Sequence, residues 1–207
     1  ELKDINEGEQ STATFSIVNY GLDAIQNAAG ILQIYDAAGT LLDSLSTPRV
    51  YIASQATETA LISLDSAKYG AGIFPVTAFA EYDGDTTEHI TQQLRIGTLF
   101  VNVTDYTKKV YTKSLAPFQI YVHNRWNNQI DHLSADIRFF KEGIPIGDIL
   151  KTPSISIPAW EQLSLSALWD TRLAAPGAYT AEITLYYMDK TTVVTAPVLV
   201  ENQFTFN

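Results

Sequence analysis

"RLAAPGAYTAEITLYY" (172–187) and "KYGAGIFPVTAFAEY" (68–82) carry one pattern 105 residues apart. Each sets a glycine two residues before an aromatic ring, and each alternates apolar and polar residues up to a tyrosine. Alternation with a period of two is the mark of a strand with one buried face. Sliding the chain by 105 residues lays 19–94 on 124–199 without a gap. Asn19 then meets Asn124, Asp43 meets Asp148, Thr47-Pro48 meets Thr152-Pro153 and Asp65 meets Asp170. Gly72 falls on Gly177 and Tyr82 on Tyr187, while Leu32, Ile34, Val50 and Phe74 fall on Ile137, Phe139, Ile155 and Tyr179. A register that survives several loops predicts one β-sandwich built twice, in which Gly72 and Gly177 are read as relieving a tight approach into a strand and Asp65 and Asp170 as side-chain-to-backbone turns.

The rest of the chain agrees. "STATFSIVNY" (11–20), "PFQIYVHN" (117–124), "LSADIRFF" (133–140) and "TTVVTAPVLV" (191–200) read as strands rich in β-branched and aromatic residues. In 117–124, Phe118, Ile120 and Val122 share one face. "DGD" (83–85) and "MDK" (188–190) occupy matching hairpin turns. Helical periodicity is weak throughout. The expected architecture is all-β, with a first sandwich over 1–96 and a second over 97–207.

Composition narrows the function. The chain is 46% hydrophobic, enough for two cores, and only 17% charged, so its surface is largely Thr, Ser, Asn and Gln. The formal net charge is −10, and the longest basic run is Lys108–Lys109. Nucleic-acid binding needs a basic footprint that this sequence lacks. The absence of cysteine excludes a disulfide scaffold and a thiol nucleophile. No stretch reaches the roughly 18 apolar residues of a membrane span, so direct membrane insertion is not expected of this chain. A chain starting at Glu1 is read as processed or trimmed.

The stretches "ATFSIVNYG", "LQIYDAAGTLLDSL", "VYIASQATETALISLD" and "YGAGIFPVTAFAEYDG" in the first copy, with "SIPAW" and "APGAYTAEITLYY" in the second, carry a resemblance. Together they resemble the tandem immunoglobulin-like modules, CARDB-type and S-layer-associated, of archaeal and bacterial surface proteins. "NRW" (124–126) stands where that pattern has N-x-G. The resemblance covers both copies and implies immunoglobulin-like sandwiches, a location outside the cell or on its surface, and a structural or adhesive role without catalysis.

Candidate sites are few. The three histidines, His89, His123 and His132, are not spaced to converge, so no metal site is expected. "DGDTTE" (83–88) has acids but lacks the ligand set of a calcium loop. No G-x-S-x-G elbow is present. No cofactor and no catalytic residue are assigned. Trp126, Trp160 and Trp169 lie only in the second copy. Trp169 aligns with Leu64 and is read as core, while Trp126 and Trp160 are the candidates for a sugar-stacking platform. Asn102, in "NVT", is the one glycosylation candidate.

The ends give the functional expectation. By the same offset "GTLFVNVTD" (97–105) has no counterpart before the first copy. It reads as an opening strand through Leu99, Val101 and Val103. "NQFTFN" (202–207) falls on "GTLFVN" (97–102) and sets Phe204 and Phe206 on Leu99 and Val101. One reading makes the chain part of a longer array, or makes "ELKDI" (1–5) a short first strand. The other is head-to-tail assembly, with the tail of one copy completing the next by donor-strand exchange. The expected partner is therefore a second copy or another surface protein. A glycan-binding adhesion module is the alternative.

Overall fold

The computed structural model describes residues 2–202, so Phe204 and Phe206 lie outside the described residues. The chain divides into two compact units, Glu1–Thr98 and Leu99–Asn207, two residues beyond the boundary read from the repeat. Each is an immunoglobulin-like β-sandwich. Unit 1 holds β1 (Ile5–Asn6), β2 (Gln10–Val18), β3 (Ile25–Tyr35), β4 (Leu41–Ser46), β5 (Val50–Ile52), β6 (Thr57–Asp65), β7 (Gly72–Tyr82), β8 (Asp85–Thr86) and β9 (Ile90–Gly97). Unit 2 holds β10 (Val101–Tyr106), β11 (Lys109–Tyr111), β12 (Leu115–Asn124), β13 (Ile130–Lys141), β14 (Ile144–Lys151), β15 (Ile155–Ile157), β16 (Gln162–Asp170), β17 (Gly177–Tyr187) and β18 (Lys190–Glu201).

The offset of 105 carries β5, β6 and β7 onto β15, β16 and β17 residue for residue. In unit 2 one sheet runs β10-β12-β16 and the other β11-β18-β17-β13-β14, with β15 on β13. In unit 1 the larger sheet repeats this order as β1-β9-β7-β3-β4, with β5 on β3, but the smaller sheet is β2-β6 alone. Inward alternation builds the cores. Phe118, Ile120 and Val122 are fully buried, as the period-two reading requires. Trp169 is core as expected: it stacks on Phe139 with ring centroids 3.6 Å apart, and Phe118 and Tyr179 meet that stack edge-on. Unit 1 has Ala13, Ile34, Leu64 and Phe74 at those four positions.

Identical polar clamps hold both sandwiches. The Asn19 amide is shared among the carbonyls of Asp23, Ile52 and Ala53, and its oxygen accepts from the Gly21 N–H. Asn124 does the same with Asn128, Ile157, Pro158 and the Trp126 N–H. Where β3 changes partner from β4 to β5, Thr47 answers both groups of the Gly30 peptide. Its N–H donates to the Gly30 carbonyl and its hydroxyl accepts from the Gly30 N–H. Thr152 repeats this on Ala135. The proline that follows each threonine has no N–H to leave unpaired. The hydroxyl of Ser66 bonds the carbonyls of Asn6 and Glu9, as that of Thr171 bonds Tyr111 and Ser114.

Asp65 and Asp170 make the expected side-chain turns, each accepting the N–H two residues on. Of the two glycines, Gly177 departs from the reading as relief of a close approach and Gly72 does not. Gly177 has φ +135° with no atom nearer than 3.7 Å to an added Cβ, so it is needed for its backbone angle. At Gly72 an added Cβ would meet only the Phe74 ring, at 3.2 Å. The expected opening strand, 97–105, is β10 over Val101–Tyr106, with a bulge between Val103 and Asp105. "ELKDI" does enter a strand, but β1 pairs parallel to β9 in the larger sheet. It is the counterpart of β11, which pairs parallel to β18, and not of β10.

Removing the Asn124 amide strips a buried set of carbonyls of their donor. The Asn124→Ala variant should lose about 3 kcal/mol of unit 2 stability, read as a lowered midpoint in urea denaturation followed by tryptophan fluorescence. In unit 1 the Tyr69 hydroxyl donates to Asp43 Oδ2 at 2.7 Å. Burial, then that carboxylate, raise the phenol well above its usual range. A raised phenol stabilises the fold below the unfolded tyrosine value near 10 and loses that contribution as pH climbs through the folded value. Unit 1 should therefore weaken above about pH 10, and Tyr69→Phe should flatten that slope in thermal melts across pH 8–12.

Candidate functional site

The smaller sheets of the two units differ by one strand. In unit 2, β10 lies antiparallel along β12, with Val101 opposite Asn124, Val103 opposite Val122 and Tyr106 opposite Ile120. Its Val101 is fully buried, and Leu99, Val103 and Tyr106 pack against the same core. In unit 1, β2 corresponds to β12, and among the described residues its one strand partner is β6. The Asn19 N–H turns toward Ala56 on the β6 side. Alternation along a strand then aims the N–H groups of Ser16 and Val18 at the opposite, open edge. The equivalent edge of β12 donates from Gln119 N to Thr107, just past β10.

A groove of about 550 Å³ follows this edge. Ala13, Phe15 and Ile17 of β2 form one wall. Val76, Ala78 and Ala80 of β7 face them, and Thr87, Glu88 and Gln92 give a polar rim. Two features of the sequence open it. Ala13, Ala78 and Ala80 stand where unit 2 has Phe118, Ile183 and Leu185, all three fully buried. The rim is also displaced: β17 and β18 keep one register throughout, whereas β7 pairs Tyr82 with Asp85 but Ala78 with Ile90, a shift of one residue. Within that bulge Thr87 caps Ala80, through N–H to carbonyl and through hydroxyl from N–H.

Phe15 sits at the middle of the groove. It packs on both of the apolar clusters into which the unit 1 core is divided, yet stays half-buried, where its counterpart Ile120 is fully enclosed. Gly30 makes room for it: a Cβ there would lie 2.5 Å from the Phe15 ring. Unit 2 has the complementary pair, Ala135 against Ile120.

The other candidates fall apart from this groove. Trp126 is in a loop and packs half-buried against the unit 2 core. Trp160 is half-buried at φ +62°, the left-handed turn position that Gln55 fills in unit 1. Its indole N–H donates to Asn127 and its carbonyl meets His123 Nε2 at 3.1 Å. His89 stacks on Phe79, and His132 lies in the irregular part of β13. Among the described residues no group of three or more histidine and carboxylate side chains comes together. Both oxygens of Asp83 accept backbone N–H groups, from Gln26 and Asn27, so "DGDTTE" is a hairpin tied to β3. Asn102 is exposed on β10 opposite His123. No described helix is long and apolar enough to cross a membrane. The open edge was legible only in the offset of the termini; the alanines and the bulge that widen it were missed, although aligning the copies would have displayed all three.

No protein-family model matches the chain, and no curated protein does. Solved structures give distant likenesses. Red sea bream transglutaminase is similar over 97% of this chain and 30% of its own, at 12% identity and a TM-score of 0.42. Amycolatopsis orientalis exo-chitosanase CsxA is similar over 88% and 25%, at 10% identity and 0.33. A Salmonella alpha-2-macroglobulin mutant is similar over 98% and 16%, at 8% identity and 0.36. The chain thus spans less than a third of each. The sandwich assignment rests on strand pairing and burial.

The Gly30–Phe15 fit is testable. Gly30→Ala should cost unit 1 about 1–3 kcal/mol through overpacking. Adding Phe15→Ile, which copies the Ala135–Ile120 pair, should recover most of it in a double-mutant cycle by chemical denaturation.

Proposed function

We propose that this protein is a non-catalytic structural component of a cell surface or extracellular filament, and that its first unit joins subunits by accepting a β-strand. The observation that carries this reading is the open edge of β2 beside an apolar groove, at the position that β10 occupies in the sister unit. An unpaired edge is a template for strand addition: main-chain hydrogen bonds give the affinity and alternate side chains fill the pockets. A head-to-tail contact that does not close into a ring builds a filament. The weakly charged, Thr- and Ser-rich surface and the resemblance to surface-protein modules support a place outside the cell.

Ser16→Pro tests it. Proline removes the N–H that faces the open edge and leaves the β2–β6 ladder intact. The parent chain should grow in mass with concentration in light scattering and form end-to-end particles in electron microscopy, while Ser16→Pro stays monomeric with an unchanged circular dichroism spectrum. Val18→Pro, at the next edge-facing N–H, serves should Ser16→Pro not fold. A parent chain that is monomeric throughout, or edge variants that assemble as well as it does, would overturn the reading.

A further inference from the structure

In unit 2, β10 opens on the sequence "FVNVT" (100–104). Asn102 and Thr104 form the N-x-T tripeptide at which oligosaccharides are attached through the asparagine amide. Val101 is fully buried, so Phe100 and Asn102, one on each side of it, turn to the outer face. The Phe100 carbonyl accepts from the Arg125 N–H, so the ladder with β12 already runs at that residue. Asn102 lies opposite His123. Among the described residues nothing hydrogen-bonds to the Asn102 side chain, whereas the amides of Asn19 and Asn124 both donate and accept.

Two aromatic residues flank that amide. Phe100 stands two residues before it and is 40% exposed; Tyr121, at the diagonal position on β12, is 42% exposed. The Tyr121 hydroxyl donates to Gln119 Oε1 at 2.9 Å, which steadies its ring. A sugar presents a face of C–H groups that packs on an aromatic face while its hydroxyls stay in water. The threonine is within reach as well. β10 bulges between Val103 and Asp105, so Thr104 has no partner in the ladder. Its hydroxyl makes one long bond, 3.3 Å to the Tyr121 carbonyl. A transferase that reads this hydroxyl displaces little to reach it.

We propose that Asn102 is an N-glycosylation site, and that the first sugar of the attached oligosaccharide packs against Phe100 and Tyr121. The donor is an oligosaccharide carried on a lipid diphosphate. Asn102 Nδ2 bonds to the anomeric carbon, and the bond from that carbon to the diphosphate oxygen breaks. The lipid diphosphate leaves and the amide gives up one proton. This rests on the location outside the cell, where such a modification is found, and is independent of the strand-accepting role. The tethered sugar covers two aromatic faces that the residues of unit 2 leave in water.

The test purifies the chain from the cells that make it and sequences its tryptic peptide 96–108 by mass spectrometry. A glycan mass on Asn102 is expected, absent from both Asn102→Gln and Thr104→Ala. Unit 2 of the glycosylated chain should unfold at a higher urea concentration than the same chain made in cells without the transferase. That difference should vanish in the Phe100→Ser background, an effect that attachment alone does not produce. Protease added to intact cells reads the location separately. An unmodified peptide from a chain that the protease reaches overturns the site and leaves the location standing. So does a sugar found on Thr104 in place of Asn102. An unmodified chain recovered only from inside the cell removes the location reading, and this proposal with it. A glycosylated Asn102 whose urea midpoint shift survives Phe100→Ser overturns the packing on Phe100.

Discussion

The buried amides of Asn19 and Asn124 are the contacts around which each sandwich is arranged. Each stands at the end of the strand that carries the smaller sheet, and each side chain gathers carbonyls from a loop and from the segment just past the short strand β5 or β15. A strand end, a loop and a crossover are thereby tied at one point. An amide fits because the site holds carbonyls on one side and a backbone N–H on the other, which needs a donor and an acceptor in one planar group. Among the described residues, no buried side-chain nitrogen or oxygen lacks a partner. That accounting is what lets so much polar backbone sit between two apolar sheets.

On this shared frame the units have taken different interiors. Unit 2 is closed: one continuous core includes an aromatic stack, and its smaller sheet has three strands. Unit 1 has smaller residues at the matching positions, two apolar clusters bridged by a half-buried phenylalanine, and two strands. The differences are mutually consistent. Cutting the walls back to alanine removes packing partners, and the bulge after Thr86 draws the rim aside. The result is a groove along β2 on the side away from β6. Each change alone would be a defect of packing; together they leave an apolar groove beside β2.

Much of this was legible in the chain. The ungapped offset placed the strands of unit 1 on those of unit 2. Alternation assigned Phe118, Ile120 and Val122 to the core, alignment with Leu64 did so for Trp169, and Asp65 and Asp170 were read as turn residues. Other readings failed for identifiable reasons. Gly177 is required by a positive φ, a backbone property that a glycine in sequence does not distinguish from crowding. One alternative made "ELKDI" a short first strand; it does lead into β1, but β1 joins the larger sheet and is not the counterpart of β10.

By itself the sequence determined the fold class and the duplication, because these follow from local periodicity and from identity at matched positions. Only the tertiary structure decided that β1 pairs with β9 and not with β2, and that Ala13, Ala78 and Ala80 line one groove. A period-two pattern states which face of a strand is buried. It does not state which strand lies beside it, because pairing is made by backbone groups that every sequence carries alike.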